Sequence, residues 1–158
     1  MAELKERMSK ALEGRLPGMF GVEILSISRG AADTRLVLRP ELLAPNDFLH
    51  AGTIITIADT SAGMGCLASL PEGAAGFTTI ELKTNFLGTA REGALRCEAR
   101  MVHGGPRTQV WDATVRREED DRVIALFRCT QFILPGNDPR TARQREQRGK
   151  LKRSEEDG

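Results

Sequence analysis

The sequence predicts an α+β domain in which an antiparallel sheet curls around one long central helix. Three observations carry that prediction. From His50 to about Leu70 small and apolar residues continue without a proline, too long a run for a strand and therefore a buried helix. Runs with two-residue alternation stand on both sides of it, two before and four after. The segments linking the last four are short and rich in Gly, Pro and acidic residues, so neighbouring strands are expected to be antiparallel.

A chain of 158 residues fits one domain able to bury its own core. Lys and Arg together number 23 and Asp and Glu 22, which leaves no basic field for nucleic acid and no acidic block. Cys66, Cys97 and Cys129 are odd in number, widely spaced and without a CxxC pair, so free buried thiols in a reducing compartment are expected. With His50 and His103 as the only histidines, the sequence argues against a metal centre, and no cofactor is expected. The N-terminal stretch lacks a continuous apolar segment and no apolar run approaches the roughly 20 residues that cross a bilayer. The expectation is a cytoplasmic protein without a membrane or nucleic-acid partner.

Taken in order, residues Ala2 to Leu16 carry Leu4, Met8 and Leu12 at helical spacing, predicting an amphipathic helix that Pro17-Gly18 stops, within an N-terminal segment 1–18 packed on the domain 19–135. Alternation begins at Met19, turns at Arg29-Gly30 and returns through Leu36 and Leu38. RPELLAPNDFLH reads as a loop. The long helix follows, and its many small residues, with Gly costing roughly 1 kcal/mol each against Ala, imply close packing against other backbone.

Four strands follow: GFTTIELKTNFL, ALRCEARMVHG, TQVWDATVRR and RVIALFRCTQFIL. In the first, one alternation sets Thr78, Ile80, Leu82, Thr84 and Phe86 on one face and Phe77, Thr79, Glu81, Lys83 and Asn85 on the other. Trp111 and Phe127 read as core or interface residues. Residues 136–158, nearly devoid of apolar side chains, read as a charged, disordered tail.

The helix raises the functional question. Asp59 sits in its most apolar stretch, and its helical neighbours Gly52, Ile55, Thr56, Ala62, Gly63 and Cys66 include no cation. An unpartnered buried carboxylate costs several kcal/mol or takes a raised pKa, which is a property of reacting acids. At the helix start, His50-Ala51-Gly52-Thr53 offers first-turn N–H groups without intrahelical acceptors, suited to an oxyanion. Ala51 and Asp59 are eight residues apart, roughly 12 Å along a helix, too far to meet on one carbonyl. The two groups must come from different chains, most simply in a two-fold dimer with antiparallel helices.

These residues carry a resemblance. HAGTIITIADTSAG, GFTTIELKTNFLGTAREGALRCEARMVHGG, TQVWDATV and the closing ALFRCTQ, in that order, resemble hotdog-fold acyl-CoA thioesterases of the phenylacetate-degradation (PaaI-like) type over about residues 19 to 134. The resemblance implies a homodimer or dimer of dimers hydrolysing an acyl-CoA thioester, with a helix-borne Asp as base or nucleophile. His50 matches the motif histidine and Asp59 the catalytic acid. Ala51 stands where the family has the first glycine of HGG, so its N–H takes the oxyanion role, next to Gly52 in the substrate site. The family's loop Asn lies six positions before the histidine, which is Ala44 here; Asn46 lies four before. Thr79 matches a hydroxyl that assists the acid or its water. His50 is assigned to capping or substrate binding, and Lys83, Arg91 and Arg107 are the cations available for the CoA phosphates.

Two other readings use the same residues. In a non-catalytic acyl-CoA-binding domain Asp59 would be structural. A hydratase or dehydratase needs a histidine paired with an acid, and His50 and Asp59, two turns apart on one helix, pair poorly.

Overall fold

The computed structural model describes residues 2–136, so the tail expected over 136–158, apart from Gly136, lies outside the described residues. Two helices, α1 (Ala2–Leu12) and α2 (Leu16–Phe20), precede strands β1 (Val22–Ser28) and β2 (Ala31–Val37). The long helix α3 (Ala51–Ala68) follows a loop, and β3 (Ala74–Phe86), β4 (Ala94–Gly104), β5 (Thr108–Arg117) and β6 (Val123–Pro135) complete the chain. The strands form one antiparallel sheet in the order β1-β2-β4-β5-β6-β3, with α3 against its concave face.

Three local expectations differ from this architecture. The first helix ends at Leu12, and Pro17-Gly18 lies inside α2. Proline lacks the N–H that a first helical turn leaves unused, so Pro17 opens a helix here where it was expected to close one. Gly18 is needed because a Cβ there would stand 2.2 Å from the carbonyl oxygen of Leu12. The chain from Met19 is accordingly still helical, and β1 begins only at Val22. Finally, β3 does not pair with β4. The segment between them crosses the sheet, leaving β3 at an edge beside β6.

The small residues of α3 were expected to admit other backbone, but at Gly63 and Gly65 they make room for aromatic side chains instead. A Cβ on Gly65 would lie 2.5 Å from the Trp111 ring, and one on Gly63 would lie 3.1 Å from Phe77. Trp111, Ile54, Ile57, Leu95, Val115 and Ile124 form the centre of the core between helix and sheet, all fully buried. Cys66, Cys97 and Cys129 are free and buried in the same layer. Met8 and Leu12 of α1 close a second cluster over Ile24, Ile27 and Ala32. No described helix is long and apolar enough to cross a membrane.

Polar side chains fix α3 to the loop before it and to the sheet. Thr53 Oγ1 donates to the Leu42 carbonyl at 2.7 Å, and Ser61 shares a 2.6 Å bond with Thr34 of β2. At the other end Gln109 Nε2 donates to the Ser69 carbonyl at 2.9 Å, and Ser69 Oγ accepts from the Gly30 N–H at 2.8 Å. The helix is thereby held in register along its length, which is what a site built on its side chains requires.

Candidate active site

Asp59 lies in the middle of α3, half-buried, and its one side-chain hydrogen-bond partner among the described residues is Thr79 of β3, whose hydroxyl stands 3.3 Å from Asp59 Oδ1. No ion pair among the described residues includes Asp59. Burial therefore holds its carboxyl above the usual aspartate range, and the Thr79 hydroxyl offsets the rise only in part. The fold brings Thr79 and Asp59, both singled out in the sequence, within reach of each other.

At the start of α3 the imidazole of His50 caps the helix. Its Nδ1 accepts the Gly52 N–H at 2.9 Å, which places the ring proton on Nε2. The Thr53 and Ile54 N–H groups turn back to the His50 carbonyl. Gly52, expected in the substrate site, thus spends its amide on the cap. The Ala51 N–H is left as the open first-turn donor among the described residues, and Ala51 is exposed. Asn46 sits in the exposed loop before the helix, where its Oδ1 accepts the Phe48 N–H at 3.3 Å in a local turn.

A bulge in β3 separates residues that the sequence placed together. Thr79 pairs with Gln131 and Glu81 with Thr130, so Ile80 is an extra residue and the alternation inverts behind it. Directly paired residues share a face. Leu82, Thr84 and Phe86, opposite the buried Cys129, Phe127 and Ala125, therefore join Thr79 on the helix side. Lys83, paired with Arg128, goes to the outer face, among Asn85, Asp112, Leu126 and Arg128. The expectation that Lys83 shares the face of Thr79 is corrected by this one inserted residue.

Arg107 is not brought to the helix start either. It lines a cleft of about 340 Å³ with Pro71, Glu72, Gly73 and Pro135, beside the C-terminal end of α3. Of the three cations considered for CoA, Arg91 is the one near the start of α3, its guanidinium 5.4 Å from the centroid of the Phe48 ring. The Leu49 N–H donates to Thr89 Oγ1 at 3.0 Å, tying the two loops together there.

One polar neighbour of the site is absent from the sequence reading. Gln131 of β6, fully buried, accepts the Thr79 hydroxyl at 2.9 Å and donates through Nε2 to Cys129 Sγ at 3.2 Å. A signal for it exists: in RCTQFIL a glutamine occupies the inward parity set by Cys129 and Ile133, the same anomaly that singles out Asp59 in the helix.

Comparison with known proteins bears on the family and the fold. Residues 46–124, half of the chain, match the family described as Thioesterase superfamily. The 1,4-dihydroxy-2-naphthoyl-CoA hydrolase of Listeria monocytogenes is 28% identical over 111 residues, covering 70% of this chain and 89% of that protein. The acyl-coenzyme A thioesterase PaaI of Escherichia coli is 27% identical over 118 residues, covering 74% and 81%. Among solved structures, a thioesterase family protein from Silicibacter pomeroyi superposes with a TM-score of 0.74 at 28% identity, covering 85% of this chain and 98% of its own. A thioesterase from Haemophilus influenzae shares the fold at a TM-score of 0.79 and 20% identity, covering 85% and 93%. With its six-stranded antiparallel sheet wrapped on α3 and its match over the helix and β3 to β5, the chain belongs to the thioesterase superfamily, as a PaaI-like member with the hotdog fold.

Proposed function

We propose that this protein hydrolyses acyl-CoA thioesters, with Asp59 as the reacting acid and the Ala51 N–H of a second protomer as the oxyanion donor. The observation that carries this reading is Asp59 itself, a half-buried carboxylate with a raised pKa, no cation, and a hydroxyl within reach. A stability-driven sequence gains nothing from that placement, whereas an acid that must take a proton near neutrality does.

The chemistry balances without further groups. As base, Asp59 removes a proton from water while the water oxygen bonds to the thioester carbon. The carbonyl oxygen, now negative, is held by the Ala51 N–H at the positive end of α3. The C–S bond then breaks and the CoA thiolate takes up the proton from Asp59. As nucleophile, Asp59 would instead form a mixed anhydride that water cleaves; both routes use the same residues. In a single turnover in ¹⁸O-water, label in Asp59 marks an anhydride opened at the Asp59 carbon, and trapping of an acyl-Asp59 adduct by hydroxylamine detects the anhydride whichever carbon the water attacks.

The dimer enters because the two groups are about 12 Å apart on one helix. Support comes from β3, a long edge strand with Ile80 (58%), Leu82 (41%) and Phe86 (48%) exposed. An open apolar edge is a pairing surface. Among the second protomer's contributions, Asn46 and His50 would border the substrate beside Ala51, and Arg91 is the cation best placed for CoA phosphate.

Free thiol released from a panel of short, long and aromatic acyl-CoAs tests the activity. Cleavage of at least one, lost in Asp59→Asn, is expected. Binding of several acyl-CoAs with cleavage of none would favour the non-catalytic acyl-CoA-binding reading.

A further inference from the structure

We propose that Gln131 is a positioning residue for Asp59: its side-chain amide turns over between Thr79 and Cys129 as the acid gains and loses its proton, an inference that rests on Asp59 being the reacting group.

The geometry is a line of four side chains. Thr79 Oγ1 stands 3.3 Å from Asp59 Oδ1 and 2.9 Å from Gln131 Oε1, and it has one proton to give. Gln131 Nε2 stands 3.2 Å from Cys129 Sγ. Gln131 and Cys129 are fully buried, so the chain satisfies itself. With the amide oxygen toward Thr79, the threonine proton goes to Gln131 and a lone pair of Oγ1 faces Asp59. That polarity suits a protonated Asp59, whose O–H donates into Oγ1. It does not suit a carboxylate, which would meet lone pair with lone pair.

Half a turn of the amide exchanges its oxygen and nitrogen at nearly the same positions. Nε2 then donates to Thr79, Thr79 donates to the Asp59 carboxylate, and the Cys129 S–H donates to Oε1. Each polarity satisfies the chain for one state of the acid. This works only because both ends are ambivalent, a hydroxyl and a thiol that each donate or accept. Cys129 keeps its proton for the purpose, since burial, and after it the charge of Asp59, push its thiol up to about 12.

The neighbouring glutamine shows the contrast. Gln109 pairs with Gln131 across β5 and β6, yet it accepts from Trp111 Nε1, which can only donate, at 3.0 Å. It donates to the Ser69 carbonyl, which can only accept. Gln109 therefore has one orientation and Gln131 has two.

Few other titrating groups face Asp59. Cys66, two turns along α3, is also held at about 12 by burial, and the charges of Glu81 on β3 and Asp112 on β5 reach Cys129 from outside. Among the described residues no Lys or Arg is paired with Asp59. The acid's proton is consequently balanced by Thr79 and the amide behind it.

The test is an NMR titration of the full chain, following the ¹³C signal of the Asp59 carboxyl and the ¹⁵N signal of the Gln131 amide. In the wild type the amide signal should move with the same midpoint as the carboxyl. Gln131→Glu can only accept from Thr79 once ionised and should raise the Asp59 midpoint by about one unit or more. Gln131→Met strands the Thr79 proton when Asp59 is neutral and should lower the midpoint. A Coulombic effect explains the first shift alone, and a purely structural role explains neither. An unmoved midpoint in Gln131→Met, or an amide signal constant across the Asp59 titration, overturns the inference. Hydrolysis is measured separately: a wild type inert toward every acyl-CoA sinks the catalytic reading while leaving these titrations free to show whether the amide turns.

Discussion

The hydroxyl of Thr79 on β3 reaches within 3.3 Å of Oδ1 of Asp59 on α3, the one side-chain hydrogen bond among the described residues that joins the helix acid to the sheet. The bulge just after Thr79 keeps this residue inward while it re-aims the rest of the strand. Removing the hydroxyl should therefore reach the acid, and it also takes the Thr79 partner from the buried Gln131 Oε1. Thr79→Ala is expected to lower kcat by roughly ten- to a hundredfold with little change in KM, and Thr79→Ser to recover most of it. Steady-state kinetics of the two variants checks this.

Asp59 should trade stability for activity. Its folded pKa lies above the ordinary value of 3.8, so the folded state holds the proton more tightly than the unfolded chain does. The associated stability is present at low pH and lost as pH rises through the folded pKa, which makes the ionised carboxylate a net cost at pH 7. Asp59→Asn should raise Tm at pH 7, with the difference shrinking as pH falls toward that of a free aspartate. Activity should fall by orders of magnitude in the same variant, and wild-type kcat/KM should decline on the acid side with a midpoint above 3.8. Thermal melts across pH, set beside the activity profile, test both halves.

The packing of α3 makes a separate prediction. With 2.5 Å between the Trp111 ring and a Cβ placed at Gly65, Gly65→Ala gains in helix propensity but must displace a fully buried indole. Overpacking of this kind costs about 1–3 kcal/mol, and the net effect should be destabilising. Equivalent substitution at Gly63, where the nearest Phe77 atom is 3.1 Å away, should cost less. Denaturant unfolding of the two variants ranks them.

Much of this was legible in the residues because the strongest sequence signals are about burial. A long apolar run without proline predicts α3, and an acid without a counterion inside it predicts a site. Small residues in α3 predict a close approach, although what approaches Gly63 and Gly65 is the rings of Phe77 and Trp111 and not backbone. Tertiary choices were less legible. Pro17-Gly18 can end one helix or begin another, and the choice fell to the contact between Gly18 and Leu12. Ile80 gives no local sign that it is inserted opposite a closed pair, so the faces of Lys83 and Leu82 could not be read from alternation. Gly52 offered an amide on paper, and only the rotamer of His50 shows that the cap consumes it.

The central claim is that one protomer's Ala51 N–H works with the other protomer's Asp59, and mixed dimers test it most directly. Ala51→Pro removes the N–H at the first helical position, where proline is tolerated, and His50 before it already has the extended backbone that proline requires, with φ −66° and ψ 135°. Ala51→Pro and Asp59→Asn should each be inactive alone. After unfolding and refolding as an equal mixture, random pairing gives each mixed dimer one intact site, and about a quarter of wild-type specific activity should return. Recovery at that level is the predicted result; a mixture as inactive as its two parents would contradict the shared site.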